Sequence, residues 1–176
     1  MSKLFYFAYG SNLHPLRITA RVPSARFLGL KTVPGYRLHF HKRHQQDNSG
    51  KCNMYYTGGD DDIVIGAIYE MPEHEKPLLD QCEGPGYRCD SIALEFAGTE
   101  LDCFVYIAEE SHIDDQLVPH CWYKNLVLLG AEFHGLPDDY LDTIRRVEAG
   151  TDPDQEQHRR NYLLVDQMRA YTGDES

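Results

Sequence analysis

The chain has 176 residues and a formal net charge of −11. Hydrophobic residues make up 41% and aromatics 11%, enough at this length to bury a core. The acidic balance argues against nucleic acid as a partner, because phosphates reward basic surfaces. No apolar run approaches the roughly 20 residues a membrane span needs, so no membrane partner is expected.

Residues 4–10, within "LFYFAYGSNL", read as a buried aromatic first strand that runs into Gly10-Ser11-Asn12. Met1-Ser2-Lys3 leads straight into it, without the basic-then-apolar pattern of a signal peptide. Residues 25–42 read as two strands around the turn signal Pro34-Gly35. Residues 43–50 are a polar loop, 51–57 a strand and 58–62 a turn. "IVIGAIYEM" (63–71) is the clearest β-segment, rich in branched residues. A short helix is expected over 73–83, stopped by Gly84, with Pro77 tolerable only in its first turn. Residues 87–97 and 99–109 alternate and form a hairpin about Gly98. The period then changes. Residues 122–135 fit a helix ended by Gly135, residues 137–150 a helix between Pro137 and Gly150, and 154–171 a charged helix. Strands first and helices after suggest an α+β fold with a curved or barrel-like sheet. The expected organisation is one domain over 1–150 and a C-terminal helical tail over 151–176, packed on it.

Five cysteines, Cys52, Cys82, Cys89, Cys103 and Cys121, form no C-x-x-C pair. They read as reduced thiols in a cytoplasmic protein. Ser11 does not sit in a G-x-S-x-G elbow, and neither a Walker loop nor G-x-G-x-x-G is present. An isolated Tyr9-Gly10-Ser11-Asn12 stretch is usually only a turn. A strand turning there also exposes several backbone N–H groups, which bind carboxylates or phosphates. Gly10 would admit a positive φ or the close approach of a ligand. Glu83 is predicted at a helix C-terminus, where the macrodipole and partial burial both disfavour its charge. Both effects raise its pKa toward the range of a working general base, although most acids at helix ends are solvated surface. His39 and His41 share a strand face as metal ligands do, with His44 nearby, but flanking Lys42, Arg43 and Gln45 read as an exposed loop end. Tyr6, Phe7, Tyr9 and Tyr123 read as core aromatics, and the hydroxyl of each buried tyrosine needs a partner.

Taken together, these segments resemble the γ-glutamylcyclotransferase family. "FYFAYGSNL" looks like its opening motif, "LLDQCEG" is similar to its L-D-x-x-E-G segment, and "WYKNLVLLGAEFHGLP" resembles its Y-K-x-x-x-x-x-G-A-x-x-x-G-L-P helix. "PSARFLG" and "GKCNM" also fit. The likeness spans roughly residues 4–150 and leaves the tail uncovered. It implies an α+β fold built on a mixed, partly closed β-barrel-like sheet with flanking helices. It implies Tyr6, Phe7, Ala8, Tyr9, Gly10 and Ser11 lining the substrate site with Asn12 beside them, Tyr123 as a further contact, and Glu83 as the catalytic acid/base. It implies a small γ-glutamyl substrate, no metal and no cofactor. A homodimer is compatible with the sequence, but no residue pattern points to one.

The reaction the resemblance implies is an internal aminolysis: the substrate α-amine attacks its own γ-carbonyl and releases 5-oxoproline and an amine or amino acid. A protein nucleophile is then unnecessary. Some members have a longer loop where this chain has Gly84-Pro85-Gly86-Tyr87, so substrate selectivity does not carry over. γ-Glutamylamines, a γ-glutamyl-protected intermediate and glutathione all remain candidate substrates, and a non-catalytic γ-glutamyl-binding protein is the alternative of another class.

Overall fold

A computed structural model describes residues 2–173. Strand β1 (Lys3–Ala8) lies at the centre of a five-stranded sheet. It pairs antiparallel with β5 (Ile63–Pro72) and parallel with β7 (Thr99–Ala108). Strand β2 (Arg26–Pro34) flanks β5, and β6 (Tyr87–Phe96) flanks β7, giving the order β2-β5-β1-β7-β6. Centrality explains the composition of β1 and β5. Tyr6, Phe7 and Ala8 are all buried, as are residues Val64 to Tyr69, because both faces of these strands are covered. The β6–β7 hairpin turns where expected, through Ala97 and Gly98, both at positive φ.

Strands β3 (Tyr36–Arg43) and β4 (Gly50–Tyr56) form a separate two-stranded ribbon. Among the described residues no hydrogen-bonded ladder joins β2 to β6 or the ribbon to the main sheet. The partly closed barrel is therefore corrected to an open mixed sheet plus a ribbon within an α+β fold. A dense run of short strands carries no information about closure, which depends on register and tilt.

Helix α1 (Pro15–Arg21) was not expected; the other helices are α2 (Lys76–Glu83), α3 (Cys121–Phe133), α4 (Asp138–Arg145) and α5 (Gln155–Ala170). Pro77 sits in the first turn of α2, where its missing N–H costs nothing. The helix expected over 137–150 stops at Arg145. Beyond it, Gly150 is needed elsewhere: its N–H donates to Pro119 O and its carbonyl accepts from Cys121 N. The Lys124 ammonium closes the end of α4 by donating to Arg145 O at 2.6 Å and Val147 O at 2.7 Å. Helix α5 is capped by Asp154, whose carboxylate accepts from Glu156 N and Gln157 N, and it buries Val165 and Met168 alongside α3. Residues 174–176 of the expected tail lie outside the described residues.

Two close approaches position the centre of the molecule. A Cβ on Gly130 in α3 would meet His14 N and Leu13 Cβ, each at 2.9 Å. The absence of a side chain there lets α3 press onto the turn that follows β1. Gly10 does the same for β4, as described next.

Candidate active site

The turn at the end of β1 is tight, with Leu13 N donating to Gly10 O at 3.1 Å. It aims the buried Asn12 amide across to the last residue of α2. Asn12 Nδ2 donates to Glu83 Oε1 at 2.8 Å and lies 3.2 Å from the Tyr6 hydroxyl. The amide oxygen in turn accepts from Arg21 Nη1 at 2.9 Å, and the same guanidinium nitrogen lies 3.5 Å from Glu83 Oε1. Helix α1 is what carries Arg21 to this point. Its N-terminus is capped by His14, whose Nδ1 accepts from Leu16 N at 3.1 Å.

The side chain of Glu83 is only 16% exposed. Burial raises its pKa above the ordinary carboxylate value, opposed by Arg21, the Asn12 hydrogen bond, Arg17 and Lys42, and the net shift is upward. Its place at the end of α2 pushes the same way. Gly84, at φ +67°, ends the helix there. Asp80 of the same segment anchors α2: it accepts from the Tyr106 hydroxyl and from Lys76 Nζ. Tyr106 O accepts from the Tyr9 hydroxyl at 2.5 Å, which ties α2 back to β1 through β7.

Beside Glu83 is a small cavity of about 20 Å³, walled by tyrosines 6, 9, 87, 106 and 123 and floored by Gly10, Ser11, Asn12 and Cys52. A Cβ on Gly10 would stand 2.9 Å from Cys52 Cβ and 3.3 Å from its Sγ. Gly10 is not at positive φ. The residue is demanded by the close approach of β4, not by backbone conformation. The Tyr123 hydroxyl accepts from Cys52 N at 3.1 Å, and the Tyr87 hydroxyl donates to Cys52 O at 2.6 Å. Burial pushes the Cys52 thiol up to about 12, so it stays protonated and is no nucleophile.

The small cavity adjoins a cleft of about 420 Å³, with which it shares Ser11, Glu83, Tyr87 and Tyr123. Arg17, Arg21, Lys42, Lys51 and Arg160 line this cleft, against the carboxylates of Asp47 and Glu83. A chain of net charge −11 thus concentrates cations beside Glu83.

The structure brings Tyr6, Tyr9, Gly10, Ser11, Asn12, Glu83 and Tyr123 together at the small cavity. Phe7 and Ala8 are fully buried and line neither space; they are core residues of β1. The sequence reading missed Arg17, Arg21, Lys42, Tyr87 and Tyr106. The histidines separate. His39 and His41 stack at 4.6 Å with Asp115 beside them, but His44 pairs instead with Asp47, its Nδ1 3.0 Å from Oδ1. Asn53 Oδ1 accepts from Ala108 N, which turns its amide nitrogen toward His41 Nε2 at 3.0 Å. His41 Nδ1 then donates to Asp115 Oδ1 at 2.7 Å, so both of its ring nitrogens are committed to hydrogen bonds.

A family model described as the AIG2-like family matches residues 63–144. Human γ-glutamylcyclotransferase is 30% identical over 151 residues, covering 81% of this chain and 78% of that protein. The mouse γ-glutamylcyclotransferase is 29% identical with the same coverage. A solved γ-glutamyl cyclotransferase structure superposes with a TM-score of 0.80 at 24% identity, covering 94% of this chain and 99% of that one, a likeness of fold.

Proposed function

The chain belongs to the γ-glutamylcyclotransferase family, and from that premise we propose that it cyclises L-γ-glutamyl compounds to 5-oxoproline. The reading rests on one observation above the others: a partly buried carboxylate, Glu83, held at 2.8 Å by Asn12 at the edge of a tyrosine-walled cavity. In the proposed reaction the substrate α-amine forms a C–N bond to its own γ-carbonyl. Glu83 takes the proton that leaves the attacking nitrogen. The γ-amide C–N bond then breaks, and Glu83 returns the proton to the departing amine. The step is redox-neutral and balances without a co-reactant.

The remaining residues orient the head group. Backbone N–H groups of the turn Tyr9-Gly10-Ser11 are the proposed holders of the α-carboxylate, with the Tyr123 hydroxyl as a further contact. Fixing the folded-back rotamer supplies part of the about 7–11 kcal/mol that orientation can remove from a barrier. The experiment is incubation with γ-glutamyl-alanine and quantification of both products. The proposal expects 5-oxoproline and alanine in equal amounts. Free glutamate in place of 5-oxoproline would mean that water or a protein group attacks, and the proposal would be wrong.

A further inference from the structure

We propose that Arg21 is a positioning residue for Glu83: it holds the Asn12 amide with its nitrogen toward Glu83 Oε1, and thereby leaves Oε2 as the oxygen that takes the proton and returns it. The inference rests on the cyclotransferase reading and deepens it.

A side-chain amide turned over by 180° exchanges its donor for its acceptor. At Asn12, which is 3% exposed, the two ends face opposite kinds of partner. The Arg21 guanidinium only donates, and its Nη1 lies 2.9 Å from Asn12 Oδ1. An ionised carboxylate only accepts, and Glu83 Oε1 lies 2.8 Å from Asn12 Nδ2. Turned over, the amide would set donor against donor at Arg21 and acceptor against acceptor at Glu83. While Glu83 is ionised, both partners enforce the same orientation.

The part played by Arg21 shows once Glu83 has taken the proton of the attacking amine. A neutral carboxylic acid has an O–H to donate. An amide free to turn over would accept that O–H through its oxygen and keep the proton from the departing amine. A guanidinium has no acceptor to offer, so Asn12 Oδ1 stays with Arg21 and Nδ2 stays on Oε1. The same Arg21 nitrogen lies 3.5 Å from Oε1. Both contacts fall on Oε1, and among the described residues no hydrogen-bond donor reaches Oε2. The proton therefore travels from the attacking nitrogen to Oε2 and from Oε2 to the leaving nitrogen.

Placement in the fold reserves this role for Arg21. It ends α1 between Ile18 and Val22, both fully buried, which anchor the backbone that carries it. Arg17 and Lys42 also favour the charged form of Glu83, but among the described residues neither hydrogen-bonds to Asn12. Lys42 donates instead to Pro85 O at 2.8 Å.

The test pairs two variants that both keep a hydrogen-bonding side chain. Arg21→Lys still only donates, whereas Arg21→Gln donates or accepts and so lets the Asn12 amide turn over. The wild-type side chain is 20% exposed, so neither change empties the core. The measurement is 5-oxoproline release from γ-glutamyl-alanine on the pH-independent plateau. Arg21→Gln should lower kcat by about tenfold with KM little changed, and Arg21→Lys should recover most of the loss. In an Asn12→Ala background the same Arg21→Gln change should cost less than about threefold, because its route to Glu83 is gone. Equal losses in both backgrounds, an unchanged kcat in Arg21→Gln, or an Arg21→Lys no better than Arg21→Gln overturns the proposal and leaves the cyclotransferase reading intact. If wild type releases no 5-oxoproline, that reading fails, and carbon-13 NMR titration of the Glu83 carboxyl decides the positioning alone. Asn12→Ala should then raise the Glu83 midpoint by less in Arg21→Gln than in the wild-type background; equal shifts overturn the proposal.

Discussion

Glu83 is useful as a base only when ionised, and the residues around it pull its charge in both directions. Burial raises its pKa, while Asn12 and Arg21 oppose the rise. Asn12→Ala removes one opposing hydrogen bond and leaves the Tyr6 hydroxyl and Arg21 without their partner. The expected result is a loss of about tenfold or more in kcat/KM, with the acid limb of its pH profile moved to higher pH. A uniform loss without that movement would assign Asn12 a purely structural role. The same raised pKa has a stability consequence. A group whose folded pKa exceeds its unfolded value stabilises the fold below the ordinary carboxylate range, and that contribution is lost as pH rises through the folded pKa. Glu83→Gln keeps the acceptor oxygen for Asn12 and cannot ionise. Its urea midpoint should exceed that of wild type at neutral pH, and the gap should shrink in acid; a gap that does not change with pH would contradict the assignment. Glu83 was legible in the sequence because the motif around it is local. Its tie to Asn12 was not, because the two residues are 71 positions apart and only folding joins them.

Helix α1 is the element that completes the site, and its signals are weak. It has seven residues, buries only Ile18 fully and is capped by His14 instead of a Ser, Thr, Asp or Asn. Pro15 in its first turn was the one usable sign. The unusual cap makes the element sensitive to acid. Burial, with His134 nearby, lowers the His14 pKa from 6.5 to about 4, so the fold holds the neutral ring whose Nδ1 accepts from Leu16 N. The stability this contributes is present above pH 6.5 and is lost as pH falls through about 4. His14→Asn keeps a capping acceptor and removes the titration. Its thermal stability should therefore fall less than that of wild type across that window, and parallel curves would count against the cap. The strands were easier to read. The branched run of β5 and the alternation of β6 and β7 reflect burial patterns that period alone reports. The end of α4 was not readable, because Lys124 and the Pro119–Gly150 bonding that set it come from distant chain.

At the scale of the whole molecule, charge and architecture oppose what composition suggests. A net charge of −11 repels anions at long range, yet three elements distant in sequence deliver to one cleft the cations Arg17, Lys42 and Arg160, which among the described residues have no carboxylate partner. No linear reading of the chain assembles that patch. The openness of the sheet was equally hidden, since strand count and pattern are the same for an open sheet and a closed one. The last helix extends beyond the stretch covered by the family resemblance, yet it presents Gln157 and Arg160 to the cleft. It is held by Val165 and Met168, which are 0% and 2% exposed. Met168→Ala should cost about 2–5 kcal/mol in unfolding free energy and weaken the cleft with it; a loss confined to local fraying of α5 would show the helix to be an appendage. The central claim is that Glu83 carries the proton while the substrate supplies the nucleophile. The direct measurement is 5-oxoproline release from γ-glutamyl-alanine by wild type and Glu83→Gln at matched concentration, with folding of both checked by circular dichroism. The account predicts steady release by wild type and a kcat lowered by about 10²–10⁴ in the variant, with KM little changed. Turnover by Glu83→Gln at the wild-type rate would contradict it.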